Sequence, residues 1–419
     1  MREMKDSNYG YLGIVPQSWK VDKIKYHLKA LGMRNPGNAQ VLSVYREYGV
    51  IPKDSRDDNH NVTSEDTSNY RYVRKGDFVI NKMKAWQGSM AVSRYTGIVS
   101  PAYYVYKFTD DALNRGYFHY LLRSKLYAAE FARISGGIRV GQWDLSAYNF
   151  ENTMLLIPPL EEQGKIATFL DSQCSEIDAI SADIQKEIEI LEQYKRSLVF
   201  EAISKGINGE KTANASSDIW KEIPQSWKLV DIKYLFEIVK RIAGREGYNI
   251  LSVTQKGLKV KDISGNQGQI AENYSGYQFV FPSDYVMNHM DLLTGWIDCS
   301  DQFGVTSPDY RVFRLRDKTQ NDTEYYKYVM QCCYMCRIFY SLGQGVSTLG
   351  RWRLQTSAFM NFKVPVPPLH EQKEIARYLN DKCKEIELSI EQKRKQLELL
   401  SSYKKSLIYE YVTGKKEVI

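Results

Sequence analysis

The chain has 419 residues, 43% of them hydrophobic and 26% charged. That apolar content is enough for two or more cores, and it excludes wholesale disorder. A net charge of +7 is mild for this length and permits a polyanionic partner without requiring one. The six cysteines, at 174, 299, 332, 333, 336 and 383, follow no disulfide-framework spacing, and no apolar run is long enough to cross a bilayer. The opening "MREMKDSNYG" lacks the apolar core of a signal peptide, so a reduced, cytoplasmic protein is expected.

In chain order, the first recognisable element is "VPQSWKVDKIKY" from Val15. Short β-rich runs follow, "GDFVINKM" from Gly76 and "GIVSPAYYVYKF" from Gly97, with glycine and proline between them. One helical stretch is predicted over "GYFHYLLRSKLYAAEFARI", from Gly116 to Ile134. A glycine-bearing loop, "SGGIRVGQW", leads to "IPPLEEQGKIATFLD" at Ile157–Asp171. From Glu161 to about Ser204 there is no proline and only one glycine, Gly164. Apolar residues there fall at Ile177, Ile180, Ile184, Ile188, Leu191, Tyr194 and Leu198, the narrow stripe of a coiled-coil seam. About 44 helical residues would reach roughly 65 Å. The polar, turn-rich "KGINGEKTANASSD" from Lys205 to Asp218 reads as a linker.

Beyond it, everything recurs. "IPQSWKLVDIKY" begins at Ile223, "SDYVMNHM" at Ser283, "GVTSPDYRVF" at Gly304, and "VPPLHEQKEIARYLN" at Val366. The offsets are 208, 207, 207 and 209 residues, so one unit of about 208 residues is used twice. The second long helix carries Ile386, Ile390, Leu397, Leu400, Tyr403 and Leu407, with Lys393 interrupting the stripe. A helix of that length with one apolar stripe needs a partner, and its own copy is the nearest. The expected fold is therefore α+β: two globular domains in pseudo-twofold tandem repeat, joined by two long helices that pair as an antiparallel coiled coil. On this reading residues 1–157 form the first head and 158–213 the central helical region with its linker. Residues 214–366 form the second head and 367–419 the distal helical region.

Two heads on one scaffold suit a target with two different halves. Duplex DNA fits, since its backbone has local twofold symmetry while its groove edges differ. Candidate DNA contacts in the first head are Lys82, Lys84, Trp86, Gln87, Arg94, Arg139 and Gln142; in the second they are Asn288, His289, Trp296, Arg351 and Arg353. They combine cations for phosphate with amide, imidazole and aromatic groups for bases, near flexible glycines. Basic clusters at Lys195–Arg196, Lys393–Arg394–Lys395 and Lys404–Lys405 on the helices read as solvated faces, with contact to the DNA gap or to acidic faces of partner subunits as the functional alternative.

The block "PPLEEQ…IA.FLD…ID" at Pro158–Asp178, repeated as "PPLHEQ…IA.YLN…IE" at Pro367–Glu387, resembles the specificity subunit of type I restriction-modification systems. "KGDFVINKM" at Lys75 and "GIVSPAY" at Gly97 are similar to that family's target-recognition domains. The resemblance spans nearly the whole chain and implies two target-recognition domains reading the halves of a bipartite, asymmetric DNA site. It further implies a helix pair that sets the gap between the halves and docks two methylation subunits, with two restriction and translocation subunits completing the complex. Glu162, Gln163, Glu371, Gln372, Lys195, Arg196, Lys404 and Lys405 are the docking candidates. S-adenosylmethionine, ATP and Mg are implied for those partners and no cofactor for this chain. His370 stands where Glu161 stands in the first copy. The recognition subunit of another restriction class, or a fused methyltransferase or nuclease with a cryptic site, is the alternative.

No glycine-rich cofactor loop or Walker-type loop occurs in the required context, so catalysis is not expected of this chain. "SPAY" and "SPDY" occupy corresponding places in both heads and read as turns. Cys332, Cys333 and Cys336 include a single C-x-x-C pair, too few ligands for structural zinc.

Overall fold

In both repeats a closing strand returns to the "PQSWK" segment before a long helix begins. Met154–Ile157 pairs antiparallel with Lys20–Lys23, and Lys363–Val366 pairs with Lys228–Asp231. Each closing strand is followed by two prolines and then by a helix, Leu160–Lys205 or Leu369–Val412. The computed structural model describes residues 2–46, 48–56, 63–137, 143–261, 273–345 and 352–418. Two compact units divide the chain: Met1–Gln185 with Arg394–Ile419, and Lys186–Lys393. Each unit thus holds one half of each long helix.

The centre of the first unit is a four-stranded antiparallel sheet in the order Leu28–Ala30, Tyr103–Phe108, Phe78–Asn81, Met90–Val92. All four residues of Phe78–Asn81 are buried, because the sheet is covered on both faces. Phe78 and Ile80 enter the main core with Phe118, Leu121 and Phe150, whereas Val79 enters a smaller one with Leu42, Val73 and Val105. The twofold alternation of a strand sends successive side chains to opposite cores. The second unit repeats this with Phe236–Val239, Arg311–Leu315, Tyr285–Met287 and Ile297–Cys299. There Tyr285 and Met287 face the main core and Val286 a smaller one.

The single helical stretch expected over Gly116–Ile134 is two helices, Arg115–Arg123 and Lys125–Ile134. Ser124 adopts an extended backbone (φ −64°, ψ 157°), which ends the first and starts the second. The Asn114 side chain caps the first by accepting from the Tyr117 N–H at 3.0 Å. Asp322 does the same for Thr323–Met335 through Tyr325, at 2.8 Å. Cys332 and Cys333 point into the core of the second unit; the contact with Cys336 and then burial push the Cys332 thiol up, and burial pushes Cys333 up.

The long helices pair antiparallel in each unit. In the first, the Phe169 and Tyr411 rings lie 4.5 Å apart, and Asp178 accepts from Lys404 at 2.6 Å. In the second, Lys195 pairs with Glu387 at 2.5 Å, and Lys393 pairs with Glu187. Residue numbers rise along one helix as they fall along the other. The seam holds Ile177, Ile188, Ile386, Ile390 and Leu407, all buried. Three residues of the expected stripe lie outside it: Ile180, Tyr194 and Tyr403 are 42%, 53% and 54% exposed. A straight helix drifts from a 3.5-residue repeat, so a stripe drawn through every apolar residue overshoots the contact.

Both helices end on a left-handed glycine, Gly206 (φ +72°) and Gly414 (φ +69°). Each glycine packs on a tryptophan of a "PQSWK" segment, Gly206 on Trp227 and Gly414 on Trp19. Part of the expected linker is structured. Thr212–Asn214 pairs with Glu222–Pro224, just as Met4–Asp6 pairs with Ile14–Pro16 in the first unit. Its polar residues leave one strand face exposed, which in sequence reads as loop. Among the described residues, no helix is long and apolar enough to cross a membrane.

Candidate nucleic-acid interface

The described DNA candidates cluster where the second and third strands of each sheet in chain order turn over, Phe78–Asn81 into Met90–Val92 and Tyr285–Met287 into Ile297–Cys299. Strand register fixes the correspondence between units. Phe78 faces Val92 in one and Tyr285 faces Cys299 in the other, both at an offset of 207. The turn is closed identically: the Asn81 N–H donates to Ser89 O at 3.0 Å, and the Asn288 N–H to Trp296 O at 3.0 Å. A second segment then locks on, with the Leu145 N–H donating to Lys82 O and the Leu354 N–H to His289 O, each at 3.0 Å. This segment is itself a bridge, Gly136 with Asp144 in one unit and Gln344 with Arg353 in the other. Lys82 therefore corresponds to His289, and Asp144 to Arg353.

On this shared backbone the side chains differ. Lys82 opens a short 3-10 helix, Lys82–Gln87, that kinks at Lys84. Its ammonium lies 2.9 Å from Asp144, and this hydrogen bond holds its pKa above the usual lysine value. Lys84 is exposed, while Trp86 and Gln87 are half-buried. The Trp86 indole N–H donates to Met83 O at 3.1 Å, and its ring meets Trp143 at 5.1 Å. Arg94 lies exposed two residues beyond the third strand. Burial first, then the charges of Arg123 and Arg94, press the nearby His119 imidazole down to about 3.

In the second unit, Asn288 O accepts from the Tyr334 hydroxyl at 2.7 Å, and the Trp296 ring lies 6.2 Å from Tyr334. His289 is pushed down to about 4, chiefly by burial and then by Arg311 and Arg353. Arg353 is exposed. Arg139, Gln142 and Arg351 lie outside the described residues. The sequence reading missed Asp144, which holds Lys82, and Arg311, which occupies the position of Tyr104. Setting the two copies side by side at offset 207 would have exposed the second, since tyrosine and arginine then share a column.

The docking candidates divide. Gln163 is fully buried and its amide is spent internally: it accepts from the Asn114 N–H at 2.7 Å and donates to Ala112 O and Pro158 O, both at 2.9 Å. Gln372 repeats this with the Asp322 N–H at 2.8 Å and Pro367 O at 2.9 Å. Glu162 accepts from the Trp19 indole at 3.1 Å and pairs with Arg2 at 2.7 Å, and Glu371 accepts from the Trp227 indole at 2.8 Å. These four residues tie each head to its helix. Lys195 and Lys404 pair across the seam, while Arg196 and Lys405 are exposed. Among the described residues Glu161 makes only a surface pair with Lys165, at 3.0 Å, and takes no part in the latch that His370 would have to preserve. "SPAY" and "SPDY" form matching turns, the Tyr103 N–H donating to Ser100 O and the Tyr310 N–H to Ser307 O.

The same twofold construction appears in comparison with known proteins. The sequence profile of the type I restriction modification DNA specificity domain matches residues 19–190 and again 224–399. The chain belongs to this family. Among its relatives, the type I restriction enzyme MjaVIII specificity subunit of Methanocaldococcus jannaschii is 25% identical over 428 residues, covering 96% of this chain and 94% of that one. The putative type I restriction enzyme MjaX specificity subunit of the same organism is 24% identical, covering 97% and 96%. A chain from a solved structure concerned with complex assembly and conformational transition of the type I R-M system has a TM-score of 0.67 at 13% identity. The match covers 95% of this specificity-family chain and 98% of that one, and shows a common fold.

Proposed function

We infer that this chain is the DNA sequence-specificity subunit of a type I restriction-modification complex. It reads a bipartite, asymmetric site and directs adenine methylation and restriction by partner subunits. The observation that carries this reading is the pair of heads whose turns are closed by matching backbone hydrogen bonds yet carry different side chains, Lys82 and Asp144 against His289 and Arg353. Identical frames place their loops equivalently on a duplex, and unlike side chains then demand unlike half-sites. The chain supplies the address and no chemistry of its own. Two methylation subunits carry S-adenosylmethionine, and two restriction subunits use ATP and Mg for translocation.

The helices offer matching surfaces for a repeated partner. Ile190 and Tyr194 in one unit are 54% and 53% exposed, and Leu399 and Tyr403 in the other are 69% and 54% exposed. Each pair lies one helical turn apart, on one face. Exposed apolar residues at equivalent places favour one copy of the same methylation subunit on each. Two exposed cations, Arg196 and Lys405, occupy corresponding places on the helices and suit an acidic rim.

The test is co-expression in a methylation-free host. This chain together with its methylation subunit is expected to produce one asymmetric, two-part methylated motif, and either protein alone none. Methyl transfer or DNA cleavage by the purified chain alone would refute the assignment.

A further inference from the structure

We propose that the second unit reads guanine through Arg353, at a site whose equivalent in the first unit is neutralised. The proposal rests on the specificity-subunit reading and deepens it. It begins from the correspondence of Lys82 with His289 and of Asp144 with Arg353, set by identical backbone hydrogen bonds. In the first unit the two positions hold an ion pair at 2.9 Å, with side chains 30% and 46% exposed. Such a pair presents a donor and an acceptor side by side with no net charge.

In the second unit neither of the two corresponding positions holds a carboxylate. Arg353 is exposed and makes no ion pair among the described residues. Beneath it lies Arg311, 5% exposed, where the first unit has Tyr104. The Arg311 guanidinium donates to Leu354 O at 3.0 Å and Thr356 Oγ1 at 3.2 Å and lies over the Phe359 ring at 4.9 Å. It too has no carboxylate partner among the described residues. Burial lowers the Arg311 pKa to about 10, which leaves the guanidinium charged at neutral pH, and its neutral acceptors do not cancel that charge locally. The charges of both arginines act on His289, as does the carboxylate of Asp309. The His289 Nδ1 is buried with no hydrogen-bond partner among the described residues.

The result is a patch with two guanidinium charges and an imidazole beside Asp309, with Arg353 at the position where the other unit places a carboxylate. Its complement is an edge rich in acceptors. In the major groove that edge is guanine, whose O6 and N7 match the guanidinium fork, whereas the amino groups of adenine and cytosine need an acceptor. Two backbone hydrogen bonds with Gln344, at 2.9 and 3.0 Å, hold the main chain from which the Arg353 fork extends.

The complex of this chain with its methylation subunit tests the idea, with the methylated motif read by genome-wide sequencing. Arg353→Ala is expected to relax one guanine in the half-site of the second unit, lowering the preference there by on the order of tenfold or more, with the other half unchanged. Arg353→Lys keeps the charge but loses the fork and should relax the same position. An unaltered motif would overturn the proposal. So would a uniform loss of methylation on all sequences with a shallower salt dependence, the signature of a phosphate contact. If the unsubstituted complex yields no two-part motif, the specificity-subunit reading fails instead, and the two failures are told apart. Because Arg353 is exposed, both variants should melt like the parent, and a melting curve checks that.

Discussion

Replacing Gln163 by alanine should detach the first head from its helix at a cost that can be worked from the contacts. The side chain is fully buried and makes three hydrogen bonds, at 2.7, 2.9 and 2.9 Å. Removing it strands the Asn114 N–H and the Pro158 and Ala112 carbonyls. Ala112 is exposed and Asn114 half-buried, so water can reach these two in part, whereas Pro158 is buried. Counting one full and two half losses at ~1–3 kcal/mol for a full loss gives about 2–6 kcal/mol. For a unit of this size, each kcal/mol lowers Tm by roughly 2–4 °C. Thermal and urea unfolding of the full chain should show the loss in one transition, and Gln372→Ala should show a similar one. Gln163→Glu, which keeps the acceptor for Asn114 but faces two carbonyls without a donor, should not rescue. A change below ~0.5 kcal/mol for Gln163→Ala would refute the latch.

Other expectations are more compact. Gly414→Ala should cost on the order of 1–3 kcal/mol, because a Cβ would lie 2.4 Å from Pro16 Cγ on a φ of +69°. Gly206→Ala, whose nearest neighbour would be Trp227 at 3.2 Å, should cost less, and melting curves of the two rank them. Lys404→Ala should change stability by at most about 1 kcal/mol, since the Asp178 carboxylate opposite is 64% exposed, and added salt should not enlarge the effect. Tyr403→Asp and Tyr194→Asp should leave the chain folded yet each weaken capture of the methylation subunit, measured by size-exclusion chromatography with light scattering. Half-buried His119 has its pKa depressed from 6.5 to about 3, so the unfolded chain takes up a proton that the folded chain refuses. Stability of the first unit should be intact above pH 6.5 and fall as pH drops toward 3, and His119→Gln should flatten that part of the pH profile. Exchanging residues 1–157 for those of a relative should change one half of the methylated motif and leave the other.

Duplication, the paired long helices and the family were legible in the chain itself. A repeat at a nearly constant offset is a linear property, and an apolar stripe with steps of three and four reports its own helix without any partner in view. The candidate site was only partly legible. Lys82, His289 and Arg353 could be chosen by type and position, but the pairing of Lys82 with Asp144 spans 62 residues and exists only once two separate segments meet. The same holds for Gln163, which as the fourth residue of a helix reads as a surface amide. It became a buried latch because the Asn114 turn folds over it. Tyr194 and Tyr403 completed the predicted stripe, yet the true crossing of the helices leaves both outside. Sequence determined which elements exist and that they exist twice, because periodicity and repetition are written along the chain. Tertiary structure decided which charges are cancelled and which apolar residues stay open, because both depend on neighbours brought close only by closure of the backbone.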